Sequence, residues 1–170
     1  MRTGRRRNLY DPVVALEEIH SHIHEGIFFS YDTTNIALGA TASIEALVVI
    51  PSGIYAHSRP ACAAGATSRL SIFESPTVTD NGTEVTDDVK NRNRASSSTT
   101  TLTVYSGPTV SDDGDSLEDK IIPENIFFEI SSPYLEWILK PSTTYLIRLT
   151  NLTAQAQAAT LSLNWYELGG

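Results

Sequence analysis

The sequence predicts an all-β protein, an antiparallel β-sandwich of the jelly-roll-like or immunoglobulin-like kind, with long polar loops and a basic N-terminal arm. Three observations carry that expectation. Thr, Ser, Val and Ile are plentiful, while helix formers are concentrated nowhere. The apolar runs are short, of strand length, and several alternate with polar residues. Pro, Gly, Asn, Asp and Ser punctuate them at close intervals, as turns between strands require. A chain of 170 residues fits one domain with a sizeable core, so residues 1–10 are expected as a flexible arm and 11–170 as a single sandwich.

The arm, "MRTGRRRN", places Arg2, Arg5, Arg6 and Arg7 ahead of any acid. Asp11-Pro12 then suits the start of one helical turn, with Val13, Leu16 and Ile19 at helical spacing. The turn is expected to give way to strand by Ile19. "SIEALVVI" (43–50) is nearly continuous in apolar residues, the pattern of a central strand covered on both faces. "RLSIFE" (69–74) and "TLTVY" (101–105) alternate. "TYLIRLT" (144–150) sets Tyr145, Ile147 and Leu149 on one face and Arg148 on the other, and "TLSLNWYE" (160–167) aligns Leu161, Leu163 and Trp165. The last two are expected to pair across "NLTAQAQAA". "EWILKPSTTYLI" is expected to form another hairpin, turning at Pro141-Ser142.

Two stretches repeat. "SPTVTDNGTEVTDD" (75–88) and "GPTVSDDGDSLEDK" (107–120) share Pro-Thr-Val and an Asp-x-Gly turn, each after a strand ending in an aromatic. They suggest two similar strand exits at one end of the sandwich. The polar segments around 79–100 and 111–124 are expected as long loops ordered against a neighbouring subunit.

The net charge is −8, yet without residues 1–7 the chain holds eight basic against twenty acidic residues, a balance of −12. An acidic body repels phosphates, which argues against nucleic acid as the main partner and leaves the basic arm to touch either nucleic acid or an acidic surface on a neighbouring protein. No segment is apolar for long enough to span a bilayer, and no signal-peptide pattern opens the chain. The single cysteine, Cys62, forms no intrachain disulfide. It fits a protein made in a reducing cytoplasm.

"EEIHSHIHEGIFF" (17–29) poses the main chemical question, because His20, His22 and His24 alternate. On a strand they share one face, roughly 6.8 Å apart at each step, with Ile19, Ile23, Ile27 and Phe29 on the other. A His-x-His pair needs a third ligand for zinc. The only other histidine is His57. The spacings that would make a cupin-like site or a helical metalloprotease motif are absent, since Phe28, Phe29 and Ser21 stand where a glutamate is needed. The three histidines are therefore expected at a subunit contact, with no metal and no cofactor. "DDGDSLED" offers Asp112, Asp113, Asp115, Glu118 and Asp119 as oxygen donors but lacks calcium-loop spacing, so solvated acidic turns are expected. "NRNRASSSTT" (91–100) alternates Asn with Arg92 and Arg94. As an extended segment it would present both guanidinium groups to carboxylates of a neighbour. No phosphate loop, nucleophile elbow or zinc-finger cysteine pattern occurs, and the chain is not expected to be an enzyme.

Taken together, "IHEG" with Phe28 and Phe29 after it, "NRNRASSSTT", "EWILKPSTTYLIRLTN" and "LSLNWYE" resemble segments of small structural proteins from the head region of tailed bacteriophages. They fall in the same order and span residues 20 to 167. The arm lies outside the resemblance, and His22 stands where Glu is common. The resemblance implies a virion protein on the outer capsid surface, a decoration (cement) protein that clamps the seams of the assembled major capsid protein, and a homotrimer. Arg5, Arg6 and Arg7 would then grip acidic capsid surface, while Arg92 and Arg94 stitch subunits together. Two rival readings remain: a carbohydrate-binding or host-adhesion module of a phage particle, and a small metal-dependent enzyme built on the histidine segment.

Overall fold

The computed structural model describes residues 13–124, 126–129 and 136–169, with the side chains of 13–18 and 126–129 outside the description. The chain opens with helix α1 (Val13–Glu25), followed by β1 (Phe28–Leu38), β2 (Ser43–Val49), β3 (Ile54–Ser58), β4 (Ala61–Ala64) and β5 (Ser68–Glu74). Next come β6 (Thr77–Asp80), β7 (Thr83–Glu84), a 3-10 turn at Thr86–Asp88, β8 (Lys90–Asn91), β9 (Thr103–Ser106) and β10 (Thr109–Asp112). The last five strands are β11 (Asp115–Ile122), β12 (Ile126–Glu129), β13 (Trp137–Leu139), β14 (Thr144–Asn151) and β15 (Gln157–Gly169).

All strand pairs are antiparallel. One sheet runs β12-β4-β15-β1-β8, with β3 also against β15 and β13 against β3; the other runs β11-β5-β14-β2-β9-β7. The pairing is nested: β1 with β15, β2 with β14, β3 with β13, β4 with β12 and β5 with β11. One long hairpin has been rolled into two stacked sheets, which is the wiring of a jelly roll. Residues 75–114 form the excursion at its tip.

Alternation fills the space between the sheets. Ile44, Ala46 and Val48 of β2, Leu70 and Ile72 of β5, and Tyr145, Ile147 and Leu149 of β14 face Phe29, Tyr31, Leu161, Leu163 and Trp165 from the opposite sheet in one cluster. Leu47 and Leu146, pointing the other way, are also fully buried. Arg148 lies on that same outer face and forms two hydrogen bonds to Asp113, at 2.7 and 2.8 Å, which places the excursion over it. This second cover explains why β2 reads as a continuous apolar run.

Two expected hairpins do not form. β14 pairs with β2 and β5, whereas β15 pairs with β1, β3 and β4, so the connection between them crosses from one sheet to the other. β13 and β14 likewise lie in different sheets. Alternation places a residue in or out but names no neighbour, and side chains fixed the crossings here. Buried Asn151 donates to the carbonyls of Leu38, Gly39 and Gln155 at 3.1, 3.0 and 2.8 Å, pinning the corner between β14 and β15.

The expected long loops are also mostly strand. The two repeats pair with each other as the ribbon β6–β10, and Val78 stands opposite Val110. Each arm then returns to the strand from which the other departed: β7 pairs with β9, and β11 with β5. The loops are thus ordered within one chain, with no need of a neighbour to hold them.

Candidate interaction surface

Helix α1 corrects the placement of the histidines. His20, His22 and His24 lie on its last turns and not on a strand. Ile19 and Ile23 fit both periods, since a spacing of four returns to the same face of a helix and of a strand. The helix end decides between them. Gly26, at φ +73°, follows the final turn, its N–H bonds the Ile23 carbonyl at 3.0 Å, and Ile27 N–H bonds the His22 carbonyl at 3.1 Å. That is the Schellman closure, which a left-handed glycine completes. A side chain at 26 would also collide with Ser96.

Along the helix the histidines separate by one turn. His20 and His24 face each other, Nε2 to Nε2 at 2.9 Å, with ring planes 77° apart. His22 turns away, bonds Glu25 at 3.0 Å and stacks on Tyr166 with ring centroids 4.4 Å apart. Glu25 also accepts from Ser21, and these contacts, His22 first, hold its carboxyl below the usual value. Glu25 therefore shares the His22 side of the helix, whereas on a strand an odd-numbered residue would lie opposite the three histidines.

Tyr166 belongs to the outer face of β15, beside Phe28 of β1 and His57 of β3 in the sheet register. His57 stacks on it at 4.4 Å, so the tyrosine ring lies between His22 and His57. Beneath them Glu136 collects four hydrogen bonds: His57 Nδ1 at 3.0 Å, Tyr166 Oη at 3.1 Å, and Arg59 Nε and Nη2 at 3.0 and 2.9 Å. Burial pushes the Glu136 carboxyl up, but the bonds from His57, Arg59 and Tyr166 outweigh it and leave the group below its ordinary value. This polar bracket roots the helix on the sheet.

The segment 91–100 is not extended as expected. It coils against the helix end through its asparagines, while Arg92 and Arg94 are exposed. Asn91 is buried and donates to the carbonyls of Gly26 at 2.7 Å and Ser98 at 3.0 Å. Asn93 donates to the His24 carbonyl at 3.0 Å and accepts from Ala95 N–H at 3.1 Å. Asn-x-Asn followed by hydroxyl residues is the signature of side chains replacing backbone partners in turns, and was the available clue. Among the described residues neither Arg92 nor Arg94 has an ion-pair partner. A cavity of about 450 Å³ opens beside them, lined by Phe29, Thr86, Lys90, Asn91, Arg94 and Thr100 among others.

No family model, curated protein or solved structure matches this chain.

The helix, the coiled segment and the cavity make one continuous ledge on the β1–β8 edge. Arg5, Arg6 and Arg7 lie outside the described residues, but they precede α1 in the chain. The acidic repeat forms exposed turns: Asp112 accepts from Gly114 N–H at 2.8 Å, while Asp113, partly exposed, pairs with Arg148. Among the described residues no group of three or more His, Cys, Asp or Glu side chains converges on a point. No helix among the described residues is long and apolar enough to cross a membrane.

Proposed function

We propose that this protein decorates the outer surface of an assembled bacteriophage capsid, as a homotrimer made in the host cytoplasm, and stabilises the shell by binding across seams between major capsid proteins. The observation that carries the reading is the ledge: a helix preceded by Arg5–Arg7, with exposed Arg92 and Arg94 held against its end by Asn91 and Asn93. Arg92 and Arg94, without ion-pair partners among the described residues and carried on a segment anchored by Asn91 and Asn93, suit an acidic protein surface. A clamp that binds only the assembled state shifts the equilibrium toward that state by mass action, and several weak contacts per oligomer reinforce one another. The resemblance of residues 20–167 to phage head proteins points the same way. The jelly roll alone does not choose, because capsid and lectin domains share it. The glycan-binding alternative wants an exposed aromatic platform, whereas Trp165 is buried and Trp137 is half-buried with its Nε1 donating to Glu118 at 3.2 Å.

The test is the copy number in purified particles, by quantitative mass spectrometry against the major capsid protein. A ratio set by capsid symmetry is expected. A handful of copies, or none, would overturn the proposal. Removal of residues 1–7 is expected to weaken binding to expanded shells.

A further inference from the structure

Strand spacing argued against a metal at the histidines, and a helix changes that geometry. His20 and His24 sit at i and i+4, one above the other, with their Nε2 atoms only 2.9 Å apart. Both are exposed on the last two turns of α1. Among the described residues, each imidazole makes its one hydrogen bond to the other. His22 is not in the pair, because it is tied to Glu25 and stacked on Tyr166.

We propose that His20 and His24 form a two-nitrogen chelate for a divalent transition ion of tetragonal preference, Cu²⁺ ahead of Ni²⁺. The affinity order makes the choice, since copper stands highest among the divalent ions for nitrogen ligands. Imidazole nitrogens bind such ions at about 2.0–2.1 Å, and the two rings, turned out of their mutual hydrogen bond, reach adjacent cis positions of one ion. In the free pair one Nε2–H donates to the other Nε2 lone pair. Binding needs both lone pairs, so the donor ring moves its proton to Nδ1, and no net proton is lost from the neutral pair. Water fills the other positions, as Glu25 already accepts from Ser21 and His22.

The bound ion closes the last turns with a bond at each end. Because an unfolded segment does not hold the two rings at this separation, binding stabilises the helix through mass action. The inference stands independently of the capsid reading, since it rests on helix geometry alone.

The experiment adds aqueous Cu²⁺ to the full chain and follows it by calorimetry and electron paramagnetic resonance, with His20→Gln, His24→Gln, His22→Gln and His57→Gln alongside. Circular dichroism confirms that each variant is folded. One saturable site is expected, with an axial signal bearing two equatorial nitrogens and a raised thermal midpoint. All three are lost in His20→Gln and His24→Gln and kept in the other two. Absence of saturable binding overturns the proposal. So does copper retained by the His20→Gln and His24→Gln variants, as it would be at the amino terminus, or copper lost from His22→Gln.

Discussion

At the scale of single residues, Glu136 gathers the polar groups beneath the stacked rings of His57 and Tyr166. It answers Arg59 twice, His57 once and Tyr166 once, and both partners of the Arg59 ion pair are mostly shielded, their side chains 10% and 16% exposed. Replacing it by Gln keeps the shape and removes the charge, which leaves the Arg59 guanidinium without a counter-ion. A loss of about 1–3 kcal/mol near neutral pH is expected. The pH dependence follows from linkage. The folded carboxyl titrates below its ordinary value of 4.5, so the unfolded chain takes up the proton first as the pH falls. The stability it contributes is complete above that value and disappears as the pH drops through the folded one. Urea unfolding of the wild type is expected to weaken below about pH 4.5, and the gap to Glu136→Gln is expected to close over the same window. A constant gap down to pH 3 would show that the carboxylate is not the source. None of this bracket was legible in the sequence. His57 and Arg59 lie 79 and 77 residues from Glu136, and no periodicity links positions that only the rolled sheet brings together.

At the scale of elements, the excursion at residues 75–114 is a local two-fold. An offset of 32 residues relates its halves: Ser75, at φ +57°, answers Gly107 at +63°, and Gly82 answers Gly114, both at +82°. Asp80 accepts from Gly82 N–H at 2.9 Å as Asp112 does from Gly114 at 2.8 Å. Thr79 Oγ1 donates to the Thr109 carbonyl, and Ser111 Oγ to that of Thr77. The repeat showed directly in the letters and two equal strand exits followed from it, although its arms read as loops and are mostly strand. What the letters withheld was reciprocity, namely that each turn docks on the strand end of the other half. A Cβ on Gly82 would meet the Ser106 and Gly107 carbonyl oxygens, and one on Gly114 those of Glu74 and Ser75, all inside van der Waals contact. Gly53 has the same left-handed backbone, φ +75°, with open space around it. Gly53→Ala is therefore expected to cost only the backbone term, about 1–2 kcal/mol. Gly82→Ala and Gly114→Ala are each expected to cost about 1–3 kcal/mol more, and similar amounts, through overpacking. Denaturant midpoints measure all three. Unequal losses at 82 and 114, or losses no greater than at 53, would mean that the two-fold does not extend to energetics. The continuation of helix α1 past Ile19 failed to show itself for a different reason. Isoleucines spaced by four satisfy both periods, and the alternating histidines tipped the reading toward strand although Gly26 marked the helix end.

At the scale of the whole molecule, nested pairing joins the beginning of the chain to its end. β1 is zipped to β15 across most of its length, and each later pair closes inside the one before. Class and inward faces were readable from alternation, but this order was not, because each partner lies far along the chain and a strand carries no label for it. Nesting poses a mechanical question: β4 lies between β15 and the terminal strand β12, so it is freed either with the whole roll or with that edge. Cys62, the only cysteine, reports on that directly. It sits mid-way along β4, between Phe128 of β12 and Leu161 of β15 in register, with none of its surface exposed, and burial pushes its thiol up to about 11. The thiolate is the nucleophile that attacks thiol reagents, so the folded protein is expected to be inert. Labelling should require an opening whose free energy equals that of global unfolding from urea titration. The measurement is the rate of reaction with an aromatic disulfide across urea concentrations, its slope compared with the equilibrium one. Coincident values would mean that the rolled hairpin opens as one unit. Labelling at a markedly lower free energy would mean that the β12–β4 edge peels away while β15 stays zipped to β1, and the sandwich would then consist of a stable centre with a separable margin.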